Sequence, residues 1–538
     1  MAILAGVSGT SKSFFRWLYH KTRRSHGYIM RWLLFTLLIY ASWYIHPLCA
    51  VFCFIPYFHT VFQPKVNFLY YLQLYMLNLS WNITVSYWLC EVRIFEGIGT
   101  LLINSFLFLL PVTCWHLFVR YGHIKRGKAL SLLLWWILFE YLHHIWDFSW
   151  TWLTIGNVFG KNPHWVMWYA YLGVLGGSAW ILICNYTIYA LARGARSVQQ
   201  IASCLMMLII PIGISWVILA TKDPATKTTT KHVTVVGTSF TGIDTLNDIQ
   251  KIAKIDTLFS NPPSFNADIT ILPETIICED IWSNKFTNTN LYARLKQNLF
   301  RWHTQHIIAG ALLNMPSPGG IHTEERMGLP LAYNQYNAAL LINHSDIINV
   351  KQKKIFVPVD EFLPPYLSFL KVKSYRFSSD TDNPDLFKID NCSYFICICY
   401  EAVNSIFVAS HLNKEASALL MLSSESFFGY TEVGRQQYMN ICKLRCIENN
   451  LPLLKSSNDG ILFTADNKGN ITAMQRVREN CLINSRINLS TLSFYYLLVP
   501  FILPGLVVTL AGILMINAFI GVKQKRKNML IKNSPIAA

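Results

Sequence analysis

Charge is distributed very unevenly along this chain. No Asp, Glu, Lys or Arg occurs over residues 32–64, 66–90, 97–119, 162–192, 197–221 or 487–522, and 129–146 carries only Glu140. A helix needs ~20 apolar residues to cross a bilayer. Most of these stretches reach that length. The exceptions are 129–146 and the two short spans that 32–64 would hold, broken near His46-Pro47. The pattern predicts about eight spans, seven within 30–221 and one over 487–522. Lys and Arg concentrate in cytoplasmic loops. Lys65, the 123–128 loop, Arg193, Arg196 and the run from Lys523 to Lys527 fall on one side, while Glu91, Glu96 and Asp147 fall on the other. Residues 1–29, with Lys12, Arg16, Lys21, Arg23 and Arg24, then read as a cytoplasmic leader rather than a cleaved signal. By the same parity 523–538 is a cytoplasmic tail, and 222–486 lies outside the cytoplasmic membrane.

Between residues 222 and 486 the period changes. Short β-type runs at 232–236, 268–272, 307–313, 338–342, 394–399, 419–422 and 453–455 alternate with helical stretches at 291–305 and 434–449. Such alternation indicates an α/β layered domain. Asn458-Asp459-Gly460 and the 466–470 run are hairpin turn signals. The expected fold is a multi-span α-helical membrane bundle plus an extracytoplasmic α/β domain.

Composition agrees with residence in lipid. Of 538 residues, 53% are apolar and 14% charged, against about 25% charged in soluble proteins. The net charge of +17 comes largely from clusters beside apolar stretches. Orientation in a bilayer accounts for it better than a nucleic-acid footprint. The thirteen cysteines form no CxxC pair, and Cys49, Cys53, Cys90, Cys114, Cys184 and Cys204 sit within apolar stretches as small hydrophobes. No disulfide framework, metal site or cofactor is expected.

Three strand ends carry chemistry. The run 395–399 delivers Cys399 to the end of a buried strand, with Tyr400 and Glu401 directly after it. The run 269–273 ends in Glu274, and Lys353 stands beside the short apolar segment 355–358. Strand ends are where α/β sheets bind ligands. A cysteine attacks as its thiolate, a carboxylate can take the thiol proton, and an ammonium can stabilise an oxyanion. Each residue also has a plainer reading: an inert core cysteine, a turn carboxylate, and a solvated basic run with Lys351 and Lys354. Glu361 stands where it could orient Lys353.

Taken together, Pro273-Glu274, Lys353 with Val357-Pro358 and Glu361-Phe362-Leu363-Pro364, and Cys399-Tyr400-Glu401 resemble the nitrilase (carbon–nitrogen hydrolase) superfamily. With apolar spans on both sides, the chain resembles the bacterial apolipoprotein N-acyltransferase family. Residues 423–429 are similar to that family's SNDxWFG segment, Arg445 and Glu448 to its R-x-x-E helix, and 455–460 to its R-S-T-N-N-G turn. Trp135 to Glu140 and Phe148-Ser149-Trp150 resemble its W…E…FPW stretch. The resemblance implies an αββα sandwich on eight spans. It implies Glu274 as base, Lys353 as oxyanion stabiliser and Cys399 as nucleophile, with Glu361 assisting and Tyr400 and Glu401 lining the site. It also implies a phospholipid acyl donor, a Cys399 thioester, a diacylglyceryl apolipoprotein as acceptor, and an inner-membrane enzyme with a periplasmic catalytic domain. One chain holds every implied part, so a monomer is expected.

The departures are Ser424-Glu425 for the family's Asn-Asp, Phe427 for its Trp, Ser149 for its Pro, and Lys351 for a usual Tyr. Val236-Gly237 is the nearest fit to its Gln-Gly loop. Glu140, with His143 and His144 one turn on, reads either as a polar contact at the lipid entrance or as a solvated interfacial carboxylate. Trp146, Trp150 and Trp152 are expected at the outer interface. Two other functions stay open on the residues: an amidase with water as acceptor, and a degenerate, non-catalytic scaffold.

Overall fold

The computed structural model describes residues 27–194, 197–221, 229–239, 246–259, 266–326, 329–345, 347–358, 360–362, 376–379 and 384–532. At 279, 280, 325, 326, 329, 330, 347, 348 and 525–532 it describes the backbone alone. The basic residues of the leader, Arg196, Leu363 and Pro364 lie outside the described residues. The chain forms two compact units, one of residues 1–137, 179–209 and 509–538, the other of 138–178 and 210–508.

Helices occupy every predicted apolar stretch. Among the described residues, five are long and apolar enough to cross a membrane: Gly27–Ile45, Ile94–Tyr121, Tyr169–Arg193, Val198–Thr221 and Tyr495–Gln524. Pro47–Val61 is a shorter apolar helix, and the remaining two stretches hold Phe68–Ser86 and Lys128–Ile145. The last helix starts later than expected. Residues 487 and 488 still belong to a strand, and the helix runs Tyr495–Lys532.

In the first unit the break at His46-Pro47 is real, with His46 extended between two helical segments. A second break follows at Phe54, just ahead of Ile55-Pro56, and backbone freed inside lipid must find protein partners. Asn185 supplies them: its Oδ1 accepts from Phe54 N at 2.7 Å and its Nδ2 donates to Ala50 O at 2.8 Å. Around this repair Phe54 packs edge-to-face on Tyr57, Trp81 and Trp136 with centroids 5.3–5.8 Å apart, a geometry that aromatic rings favour.

Among its described residues the second unit carries fourteen strands: β1 (Thr230–Thr238), β2 (Ala267–Ile271), β3 (Ile277–Trp282), β4 (Thr304–Pro316), β5 (His322–Arg326), β6 (Leu329–Asn343), β7 (Ile347–Gln352), β8 (Leu386–Ile389), β9 (Cys392–Ile398), β10 (Ala416–Ser424), β11 (Leu453–Asn458), β12 (Ile461–Ala465), β13 (Ile471–Arg476) and β14 (Cys481–Asn488). They pair in the order β5-β6-β4-β2-β1-β11-β10-β9-β8, with β3, β7, β12, β13 and β14 as branches. The centre from β4 through β2, β1, β11 and β10 to β9 is parallel.

Period-two patterning gives this sheet two apolar faces. Val233, Val235, Ile269, Ile271, Ile308 and Leu341 of one half share a buried cluster with Ile396, Ile398, Leu420, Leu422 and Leu454 of the other. The opposite face of the first half, with Val236, Ala309 and Leu340, packs with Ile252 and Leu295 from the helices Asp248–Asp256 and Asn290–Arg301. The helix Glu432–Asn449 covers the other half through Cys442, 3.7 Å from Met421 Sδ. The layers therefore run helix, sheet, sheet, helix, as the αββα expectation required.

Gly310 in β4 permits the closest backbone approach near the parallel strand ends. A Cβ there would lie 2.5 Å from both Glu274 Cα and Pro273 O. Gly310→Ala is expected to displace the Glu274 turn and lower stability by about 1–3 kcal/mol, the usual cost of overpacking. Thermal melting of the solubilised protein measures this, with Gly99→Ala, whose Cβ meets nothing within 4 Å, expected to leave the melting point unlowered.

Candidate active site

Three chain turns bring the functional side chains together. β2 ends at Ile271, and Glu274 follows in a turn where Thr275 takes φ +50° before β3 begins. Lys353 lies just past the end of β7, and its N–H donates to Asn337 O of β6 at 2.7 Å; the apolar segment 355–358 beside it forms no strand. Cys399 directly follows β9 and has φ +49°. That left-handed geometry is costly for a residue with a Cβ and is kept only where the surroundings enforce it. It opens the short helical turn Cys399–Val403.

Lys353 is fully buried, and its Nζ stands 3.1 Å from Glu274 Oε1 and 2.6 Å from Glu361 Oε1. Asn337 Nδ2 donates to Glu274 Oε1 at 2.8 Å and reaches Glu361 Oε1 at 3.5 Å. Ser424 N donates to Glu274 Oε2 at 2.8 Å, and Val357 N to Glu361 Oε2 at 2.8 Å. The Cys399 thiol lies 3.9 Å from Ser424 O. It therefore sits beside the residue that holds Glu274, and it interacts electrostatically with Glu274, Lys353 and Glu361.

Burial fixes the proton inventory. Desolvation alone would lower the Lys353 ammonium, but Glu274 and Glu361 outweigh it and hold it well above its ordinary value. Burial raises Glu361, only partly offset by Lys353. Burial and then Glu274 raise the Cys399 thiol, with Lys353 opposing. The resting site is thus a neutral thiol beside a carboxylate and a firmly charged lysine.

The supporting residues divide by what they touch. Tyr400 donates its O–H to Ser149 O at 2.7 Å, with Trp150 stacked 6.3 Å away. Glu401 is fully buried and bonded to Lys351 and to the N–H groups of Lys354 and Ile398. Glu140 is 5% exposed, and its Oε1 accepts from Ile155 N at 3.0 Å. Trp152 is buried and stacked on Trp150 and Tyr438 rather than placed at an interface.

Several departures from the family motifs leave contacts intact because those contacts use backbone. Ser149 contributes its carbonyl and Ser424 its N–H, which other side chains there would supply equally. Glu425 is buried against Lys455 and accepts from Ser457 Oγ at 3.1 Å. Val236-Gly237 lies within β1 and forms no loop. Sequence reasoning missed Asn337, which binds both carboxylates. No motif marks it, because Asn334, Gln335 and Asn337 all stand just before the apolar 338–342 run. It also quoted Asn458 only as part of a motif, although its Nδ2 holds Glu274 O at 2.7 Å.

A family model described as apolipoprotein N-acyltransferase N-terminal domain matches residues 35–187. An apolipoprotein N-acyltransferase of Chlorobaculum tepidum is 23% identical over 82% of this chain and 86% of its own length. Another, of Vibrio cholerae, is 22% identical over 61% of this chain and 62% of its own. Among solved structures, a carbon-nitrogen hydrolase of Helicobacter pylori aligns with a TM-score of 0.34 at 15% identity, covering 48% of this chain and 90% of that one. An amidase of Nesterenkonia sp. aligns with a TM-score of 0.32 at 12% identity, over 52% of this chain and 96% of that one. The similarity to the Chlorobaculum tepidum protein extends over most of the chain.

Because burial and Glu274 both raise the thiol, alkylation of Cys399 is expected to keep climbing with pH beyond about 8.5, the ordinary cysteine value. Glu274→Gln removes the nearest negative charge and is expected to speed labelling at neutral pH. Quantitative mass spectrometry of the peptide carrying Cys399 reads both effects. An unchanged rate in Glu274→Gln would mean that this carboxylate does not act on the thiol.

Proposed function

We propose that this chain N-acylates the N-terminal diacylglyceryl-cysteine of apolipoproteins, using a phospholipid as acyl donor and Cys399 as covalent carrier. The observation that supports it most is a buried lysine held between two carboxylates beside a strained cysteine, in a chain with a relative, matched over 82% of its length, that is named apolipoprotein N-acyltransferase.

In the first stage Glu274 takes the thiol proton as Cys399 Sγ attacks the phospholipid ester carbonyl. Lys353 Nζ stabilises the tetrahedral oxyanion. Collapse breaks the ester C–O bond, Glu274 returns the proton to the leaving alcohol, and a lysophospholipid departs from the thioester. In the second stage Glu274 takes a proton from the acceptor's α-ammonium-derived amine as the amine attacks the thioester. The C–S bond breaks, the thiolate recovers that proton, and an amide is formed.

Both substrates are lipid-anchored, which supports placing the reaction at a membrane surface. Excluding water there favours the amine as acceptor. The reading carries with it a bacterial inner-membrane location, a periplasmic catalytic domain and a working monomer. Glu140, through the turn at Ile155, supports the lipid entrance on this reading.

Incubating the purified protein with phospholipid and a diacylglyceryl-cysteine peptide is expected to yield N-acylated peptide and lysophospholipid in equal amounts. Cys399→Ser is expected to abolish both products. Glu274→Gln and Lys353→Met are expected to lower the rate about 100-fold or more. Ammonia release from simple amides, with no acylated peptide, would favour an amidase instead.

A further inference from the structure

A ring of alternating charges lies behind the nucleophile, and the reaction steps above use none of it. Glu401 and Lys351 are both fully buried. Glu401 Oε2 takes the Lys351 ammonium and the N–H of Ile398 at 2.7 Å, while Oε1 takes the N–H of Lys354 at 2.7 Å. Lys351 Nζ lies 4.0 Å from Asp385 Oδ1, and Lys354 Nζ lies 2.7 Å from Asp385 Oδ2. The ring thus ties the end of β7 and the approach to β8 to the turn at Cys399. Ile398 precedes the nucleophile and Glu401 follows two residues later, so this one carboxylate bridges the backbone that holds Cys399 at φ +49°.

We propose that Lys351 is a positioning residue for the thiol: its ammonium holds the Glu401 carboxylate where it accepts the N–H groups of Ile398 and Lys354 together, and so fixes the left-handed backbone at Cys399. The proposal rests on the reading of Cys399 as acyl carrier. An ionised carboxylate accepts on both oxygens, whereas a protonated one carries a donor that would face an N–H. The other charged and titratable groups of this cluster are Asp385 beyond Lys351, Lys354, whose ammonium pairs with Asp385 at 2.7 Å, and Cys397 on β9. Lys351 is the cation bonded to Glu401 itself. Without it the buried Glu401 carboxylate would lose its charged partner, which is the costly way to break such a pair.

The test follows acyl-adduct formation on Cys399 by intact mass, in the full-length protein with phospholipid micelles. Lys351→Met is expected to slow adduct formation at neutral pH by about tenfold or more, in line with the loss that a misplaced reacting atom brings. Lys351→Tyr, whose phenol can donate to Glu401, should keep most of the rate. Lys351→Met/Glu401→Gln removes both buried charges and should recover the melting temperature but not the rate, since one amide oxygen cannot serve both N–H groups.

A Lys351→Met rate equal to the wild-type rate overturns the proposal, as does a double variant that recovers rate together with melting temperature. If Lys351→Met does not fold, the Lys351→Tyr and double variants decide. If the wild type itself acquires no adduct, the acyl-carrier reading has failed. The alkylation rate of Cys399 in the same variants then reports the positioning role, with the same order expected.

Discussion

Everything at this site depends on one buried ammonium shared by two carboxylates. Taking three charges out of water is costly, and mutual attraction repays the cost only when every remaining lone pair is satisfied. Here Asn337, Ser424 N and Val357 N supply the missing donors around Lys353, Glu274 and Glu361. Two carboxylates against one lysine leave the cluster short of positive charge. Burial, and then that imbalance, raise the thiol. On the proposed mechanism Glu274 takes its proton, and the same lysine strengthens its hold on an oxyanion only as one develops, which is how such a group lowers a barrier.

The elements that hold this cluster are not confined to the sheet. Within the second unit, Asn404 Nδ2 donates to His144 O at 2.7 Å, and Tyr400 donates to Ser149 O at 2.7 Å. The helix Tyr169–Arg193 breaks at Gly173, where φ is +61°. The next N–H, of Val174, donates at 2.7 Å to Glu448, whose carboxyl burial pushes up. Arg445 Nε pairs with Glu448 at 2.8 Å, and Ser405 Oγ bonds it at 3.0 Å. A Cβ at Gly173 would lie 2.2 Å from the Tyr495 ring. The turn after Cys399 and the apolar helices entering this unit are thus built on shared contacts. Resolving the Arg-x-x-Glu motif into this network explains a sequence feature that has no place in the chemistry.

The sequence made the buried parts of the fold legible and left its edges obscure. Each apolar run of the parallel centre has its strand, because burial on both faces writes itself as a continuous hydrophobic stretch. β5, with His322 to Arg326, and β13, with Ile471 to Arg476, escaped because an exposed edge strand has no such run. β7 escaped for a different reason: its Lys351 serves an internal ion pair, yet in sequence it looks like part of a solvated basic patch. The helix beginning at Asn290 stops at Arg301, because His303 turns the chain at φ +50° into β4. Glu274, Lys353 and Cys399 could be named from short motifs. Asn337 and Lys351 could not, since both act through residues distant in the chain and only pairing of β6 with β7 reveals them.

The account claims above all that Cys399 carries the acyl group between donor and acceptor. Intact-protein mass spectrometry after incubation with phospholipid alone, with no acceptor present, tests this most directly. It should show one acyl chain added at Cys399, one lysophospholipid released per chain acylated, and loss of the adduct when the acceptor amine is supplied. Acylated product formed in the presence of acceptor, with no adduct ever detectable on Cys399 in its absence, would contradict it.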